Sequence, residues 1–180
     1  MHTSNFKADL LKSKEAEKIA LDVLTHTTED KCFNDVADIQ EFWHKGDILV
    51  FDRNREFDCF IDVKDDSRIA DTHNILCEER VYYRKQKKFK QGFMYSEYDY
   101  LDIVSKKESK IYIIDFKKLQ KHYKEGKSMC LQYSWQYSDI FLYPLEKAYK
   151  YNMVVAEIDY EKGGSCYYPL SCKKYYSYLH

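Results

Sequence analysis

Between Leu10 and Leu24 a stretch rich in helix formers places Leu10, Ile19, Ala20, Val23 and Leu24 at helical spacing. This pattern predicts an opening amphipathic helix, with Glu17, Ala20, Leu21 and Leu24 sharing one face. Two β-rich runs follow, Asp47-Ile48-Leu49-Val50-Phe51 and Phe57-Asp58-Cys59-Phe60-Ile61-Asp62-Val63-Lys64, separated by the polar Asp52-Arg53-Asn54-Arg55-Glu56. They predict a hairpin. Asn74 to Tyr83 is ambiguous in period, but Ile75, Val81, Tyr82 and Tyr83 turn it towards a third strand. Leu101-Asp102-Ile103-Val104 and Ile111-Tyr112-Ile113-Ile114 predict further strands, Lys117 to Lys124 a short helix, and Met153 to Ile158 a closing strand. A helix, three strands and then mixed elements imply an α/β or α+β domain with a mixed central β-sheet flanked by helices.

A length of 180 residues suits one domain spanning 1–180, and 44% hydrophobic content supplies a core. Proline stands only at Pro144 and Pro169, so no interdomain linker is expected, and no internal repeat is visible. The cysteines Cys32, Cys59, Cys77, Cys130, Cys166 and Cys172 form no C-x-x-C pair, and the histidines form no H-x-H or H-x-x-x-H pair, which argues against zinc chemistry. No apolar run approaches the roughly 20 residues that cross a bilayer, so the expectation is a soluble cytoplasmic protein without a membrane partner.

A net charge of −1 advertises no polyanion partner, so nucleic-acid binding would need a local basic face. One stretch offers it. Arg80, Arg84, Lys85, Lys87, Lys88 and Lys90 lie in a segment, Arg80 to Lys90, that holds no acid. Such runs often only solvate a surface; next to a reaction centre this one would track phosphates. Tyr82, Tyr83 and Phe89 interleave with the cations and would suit stacking on unpaired bases. The 18 tyrosines as a whole could stack on bases, but an AT-rich coding bias together with packing at the core edge is the simpler explanation.

Metal-assisted phosphodiester hydrolysis needs fixed carboxylate oxygens and a group that aligns or deprotonates water. The hairpin carries these parts. Asp62 and Lys64 are two apart on a strand, so their side chains leave one face about 6 to 7 Å apart. Asp47 heads the partner strand, and the Val63 carbonyl is a further candidate ligand. Lys64 has two readings, a general base if desolvated and a stabiliser of phosphate charge if protonated. Glu17 would add a carboxylate from the helix, with Glu15 as the other choice on helix facing.

The acid-x-lysine triplet recurs at Glu29 to Lys31, Glu108 to Lys110, Asp115 to Lys117 and Glu125 to Lys127, so the triplet alone decides nothing. Context favours Asp62, with an apolar strand before it and an acid heading the previous strand. The rival register is Asp115 and Lys117 with Asp102 upstream.

At Gly46-Asp47, Asp62-Val63-Lys64 and Glu17 the chain resembles the PD-(D/E)xK nuclease superfamily, with Gly46 in place of the proline. Thr72-His73-Asn74 with Glu78, then Gln91-Gly92 and Tyr98-Asp99-Tyr100, look like the spaced T-G-N, S-G and A-D-Y motifs of its phage-type members. The resemblance implies a restriction-endonuclease-like core, Mg²⁺ or Mn²⁺ as cofactor, and DNA as substrate. Asn74, Glu78 and Asp99 enter as accessory site residues. It further implies an endonuclease of phage or mobile-element type acting in DNA processing, recombination or restriction. A homodimer that cuts both strands is a common arrangement in such nucleases, although no heptad or apolar stripe marks one here. The alternative is a non-catalytic binding or inhibitory protein that keeps the nuclease-like frame.

Overall fold

A computed structural model describes residues 6–28, 30–42, 44–83, 86–125, 131–135, 138–161 and 165–167. The predicted first helix is longer than its apolar pattern and runs as α1, Phe6–Thr27. Its buried line is Ala16, Ala20 and Leu24. The small alanines let the helix axis approach the sheet closely. Glu17 flanks this line and is half-buried.

The predicted hairpin forms as β2 (Ile48–Asp52) and β3 (Phe57–Asp65), preceded by β1 (Lys31–Asp35), which the pattern did not signal. β1 is a short strand with mostly exposed positions, so it lacks the alternation that marks a strand in sequence. The segment Asn74–Tyr83 is a strand, β4, but it leaves the first sheet and pairs with β5 (Lys88–Gln91) and β9 (Ser138–Pro144). The place beside β3 is taken by β6 (Tyr100–Ser105), in parallel register with Val63 opposite Asp102. A parallel neighbour requires a long crossover. That crossover contains the short helix α2 (Ile69–Thr72), β4, β5 and a 3-10 turn at Phe93–Tyr95.

β7 (Lys110–Asp115), β10 (Val154–Asp159) and β11 (Ser165–Tyr167) complete a seven-stranded sheet in the order β1-β2-β3-β6-β7-β10-β11. The second sheet is four-stranded, in the order β5-β4-β9-β8, with β8 at Leu131–Trp135. Helices α3 (Phe116–Lys124) and α4 (Leu145–Lys150) cap the neighbouring strands. The chain is thus a mixed α/β fold with a mixed sheet.

Burial separates two cores on opposite faces of the large sheet. Alternate residues Ile61 and Val63 join Ala16, Ala20, Val104 and Ile113 under α1. Leu101 and Ile103 point the other way, into Ile75, Cys77, Phe141 and Tyr143 of the second sheet and Phe116 of α3. Strand alternation explains the split, since neighbours on one strand face opposite sides. Among the described residues no helix is long and apolar enough to cross a membrane.

Candidate active site

The site forms where β2 begins and β3 ends. Gly46 sits at φ +134°, and a Cβ there would lie 2.6 Å from the Ile61 carbonyl oxygen. Only glycine fits this approach, and proline, with φ held near −65°, cannot. The close passage lets the Asp47 amide donate to the Ile61 carbonyl at 2.8 Å. Continuing the Ile48 to Ile61 pairing by one step sets Asp47 opposite Asp62. The Val63 amide then donates to Asp47 Oδ2 at 2.8 Å. It is the Val63 amide, not its carbonyl, that these contacts tie into the site.

Lys64 Nζ lies 2.6 Å from Asp62 Oδ2, and the Asp62 side chain is 12% exposed against 40% for Lys64. Burial pushes the Asp47 carboxyl up to about 7, and the neighbouring Asp62 charge adds to the push. Lys64 and the Val63 amide pull in the opposite direction. For Lys64 burial acts downward, but the charges of Asp62 and Asp47 outweigh it and leave the ammonium above its ordinary value.

Two further acids feel the same field. Glu78 on β4 is raised by burial and by Asp62, with Lys64 opposing. Glu17 is raised by burial and by Asp35, with Lys64 among the groups that lower it, and its own charge is felt at Asp47. Glu15 is elsewhere: its carboxylate is 2.6 Å from Lys106 Nζ. The helix-facing choice therefore falls on Glu17.

The remaining expected residues divide. Asn74 closes the turn after left-handed His73 (φ 49°), its amide donating to Thr72 Oγ1 at 3.3 Å. Its side chain donates to the Thr72 carbonyl, which is a local turn role. Asp99 accepts from the Phe60 amide at 3.0 Å, back along β3 from Asp62, and lines a cavity with Lys31, Asp58 and Cys59. Neither joins the Asp47–Lys64 group. In the rival register, Asp115 caps α3 by accepting from the Lys118 amide at 3.0 Å. Lys117 reaches the Glu97 carbonyl at 2.7 Å, and Asp102 is enclosed in the sheet. That triplet does not converge.

Of the basic stretch, Arg84 and Lys85 lie outside the described residues. Arg80 Nε is 2.6 Å from Asp139 Oδ2, so it is an ion-paired residue. Lys87, Lys88 and Lys90 are exposed.

Some contributors were missed in the sequence. Tyr98 is buried close enough to Asp62 to feel its charge, and burial followed by that charge raises it well above a normal tyrosine. Phe93 places its ring 5.8 Å from Lys64 Nζ. Gly92 permits this, because a Cβ there would stand 2.4 Å from the Glu78 carbonyl oxygen. Gln120 of α3 holds the loop by donating to the Met94 and Ser96 carbonyls at 2.9 Å each. Gly92 and Tyr98 enter only as parts of the Gln91-Gly92 and Tyr98-Asp99-Tyr100 motif matches, without a role of their own; Phe93 and Gln120 carry no signal.

No protein-family model, curated protein or solved structure matches the chain.

Among the described residues, no three or more His, Cys, Asp or Glu side chains converge as a ready-made metal cage. The chemistry nevertheless fits a hard cation. Asp47 and Asp62 are hard-oxygen donors, and the rise of Asp47 records its own partial burial and then the neighbouring Asp62 charge.

Proposed function

We propose that the chain is a metal-dependent DNA endonuclease with a restriction-endonuclease-like core, its reaction centre at Asp47, Asp62 and Lys64. The observation that carries this reading is the pairing of Asp62 with Lys64 at 2.6 Å on β3, beside an Asp47 held by the Val63 amide at 2.8 Å. A buried acid, a half-buried acid and a lysine at one strand end are costly for folding and useful for phosphoryl chemistry.

Asp47 and Asp62 would hold Mg²⁺ or Mn²⁺, with Glu17 adding negative charge beside them. The ion supplies Lewis-acid polarisation and neutralises charge on the scissile phosphate. Lys64 serves as an electrostatic partner: an ammonium held 2.6 Å from a carboxylate keeps its proton. That favours phosphate stabilisation over general-base action. Phe93 and Tyr98 exclude water from the inner side of the pair, which strengthens every charge interaction there. Glu78 adds negative potential near Lys64 and helps keep it protonated. A cytoplasmic setting and a role in DNA processing, recombination or restriction accord with this chemistry.

A second reading is a non-catalytic binding or inhibitory protein, favoured by the fact that Lys64 already neutralises Asp62. One experiment separates the two. The protein is incubated with linear, circular, branched and single-stranded DNA in Mg²⁺, Mn²⁺ or EDTA. Cleavage in either metal and none in EDTA supports the nuclease; no cleavage of any substrate in either metal hands the site to the binding reading.

A further inference from the structure

The ribbon made by β4 and β5 presents rings as well as charge, and the sheet register fixes which goes where. Tyr82 pairs with Phe89 and Arg80 with Gln91, so those side chains share one face; Tyr83 pairs with Lys88 and Val81 with Lys90, on the other. Each face carries an aromatic ring under a cation. The Arg80 guanidinium lies 5.3 Å from the Phe89 ring centre, and Lys90 Nζ lies 4.2 Å from that of Tyr83. Asp139 pins Arg80 in this position.

Rings on a solvated ribbon are costly to expose, and here Tyr83 is 47% and Phe89 42% exposed. A surface that only tracked a duplex would need cations alone, because the flat faces of paired bases are hidden in the stack. Rings fit the faces of unpaired bases, with neighbouring lysines on the phosphates. Between Arg80 and Lys90 the sequence holds no acid to repel a strand. At its base the ribbon opens on a groove of about 370 Å³ lined by His44, Lys90, Gln91, Gly92, Tyr95 and, at its far side in sequence, Ser96 and Glu97. The chain then passes through Gly92, packed on Glu78, to Phe93 beside Lys64. The ribbon is thus joined directly to the segment that carries Phe93 to Lys64.

We propose that the β4–β5 ribbon is a stacking arm for single-stranded DNA, so that the substrate class is DNA with an unpaired segment next to the cut, such as an overhang, flap or branch. This rests on the nuclease reading for the cut, but the binding it asserts can be measured separately.

The test is fluorescence anisotropy in EDTA, with a labelled single strand, a blunt duplex of equal length and a flap. The proteins are wild type, Tyr83→Leu with Phe89→Leu, Tyr83→Trp with Phe89→Trp, and Lys88→Gln with Lys90→Gln. Wild type should bind the single strand and flap more tightly than the duplex. The leucine variant keeps apolar bulk without the rings and should lose on the order of tenfold, since a strand on either face meets one of the two rings; the tryptophan variant should retain binding, and the lysine variant should show a shallower salt dependence. Equal single-strand affinity in the leucine variant and wild type, a preference for blunt duplex, or no DNA binding at all would each overturn the arm. Thermal melting of each variant establishes that it is folded. Cleavage assays in Mg²⁺ separate the two claims: strand stacking without cutting keeps the arm and removes the nuclease, whereas cutting unaffected by loss of the rings keeps the nuclease and removes the arm.

Discussion

The Val63 amide donates to Asp47 Oδ2 at 2.8 Å, and this single bond locks the acid that heads β2 onto the middle of the Asp62-Val63-Lys64 triplet on β3. The two halves of the proposed reaction centre are thus one rigid unit built on paired strands. Sites on strands hold geometry better than sites on loops.

Gly46 is what allows this unit to close. Gly46→Ala places a methyl 2.6 Å from the Ile61 carbonyl at a φ of +134°, so the β2 entry must shift. The expected cost is about 1–3 kcal/mol of stability. Cleavage should fall by more than the unfolded fraction explains, because Asp47 moves with the backbone. Urea melts and rates on the same preparations check this, and an alanine variant with wild-type rates would show that Asp47 is not placed by the glycine.

Removing single members of the centre should distinguish metal holding from charge stabilisation. Asp62→Asn should lose both metal binding and activity, whereas Lys64→Ala should lose activity and keep much of its metal affinity. Each is expected to cost at least on the order of 10² in rate. Lys117→Ala should leave turnover nearly intact, since Lys117 bonds the Glu97 carbonyl away from the centre. Asp115→Asn should cost at most about 1 kcal/mol as a helix cap and nothing in rate. If the Asp115 pair proves essential and the Asp62 pair dispensable, the register is wrong.

Glu17 and Glu15 make a controlled comparison on one helix. Glu17→Gln should lower metal affinity and cleavage, because its charge is felt at Asp47. Glu15→Gln breaks only an exposed pair with Lys106, and exposed pairs contribute about 0–1 kcal/mol. Isothermal titration with Mn²⁺ on both variants reads the difference. Equal affinity in the two would remove Glu17 from the site.

Asp102 should make stability depend on pH. It is fully buried on β6, and neither carboxylate oxygen has a hydrogen-bond partner among the described residues. Burial, with the Asp62 charge adding, raises its carboxyl well above the ordinary range. The folded chain then keeps a proton that the unfolded chain releases near about pH 4. Its stabilising contribution is complete below that pH and declines as pH rises towards the folded value, by up to about 1.4 kcal/mol per pH unit. Asp102→Asn cannot ionise, so its stability should fall less steeply from pH 5 to 9. Parallel slopes in denaturant melts of the two proteins would exclude the effect.

Local patterns carried much of this protein. The helix at Phe6–Thr27, the hairpin of β2 and β3, and the pair β6 and β7 were legible because helical and strand periodicities act among near neighbours. The shared face of Asp62 and Lys64 follows from the strand period alone. Tertiary structure decided which groups meet them. Asn74–Tyr83 was recognisable as a strand, but the sheet it joins depends on partners distant in sequence, and β6 took the place beside β3. That exchange brings Glu78, Phe93 and Tyr98 towards Lys64 and Asp62, while Asn74 and Asp99 are taken up by Thr72 and Phe60. Periodicity reports the face of one element, whereas a site is made where faces of several elements pack, and that choice is set by burial and hydrogen bonding over the whole chain.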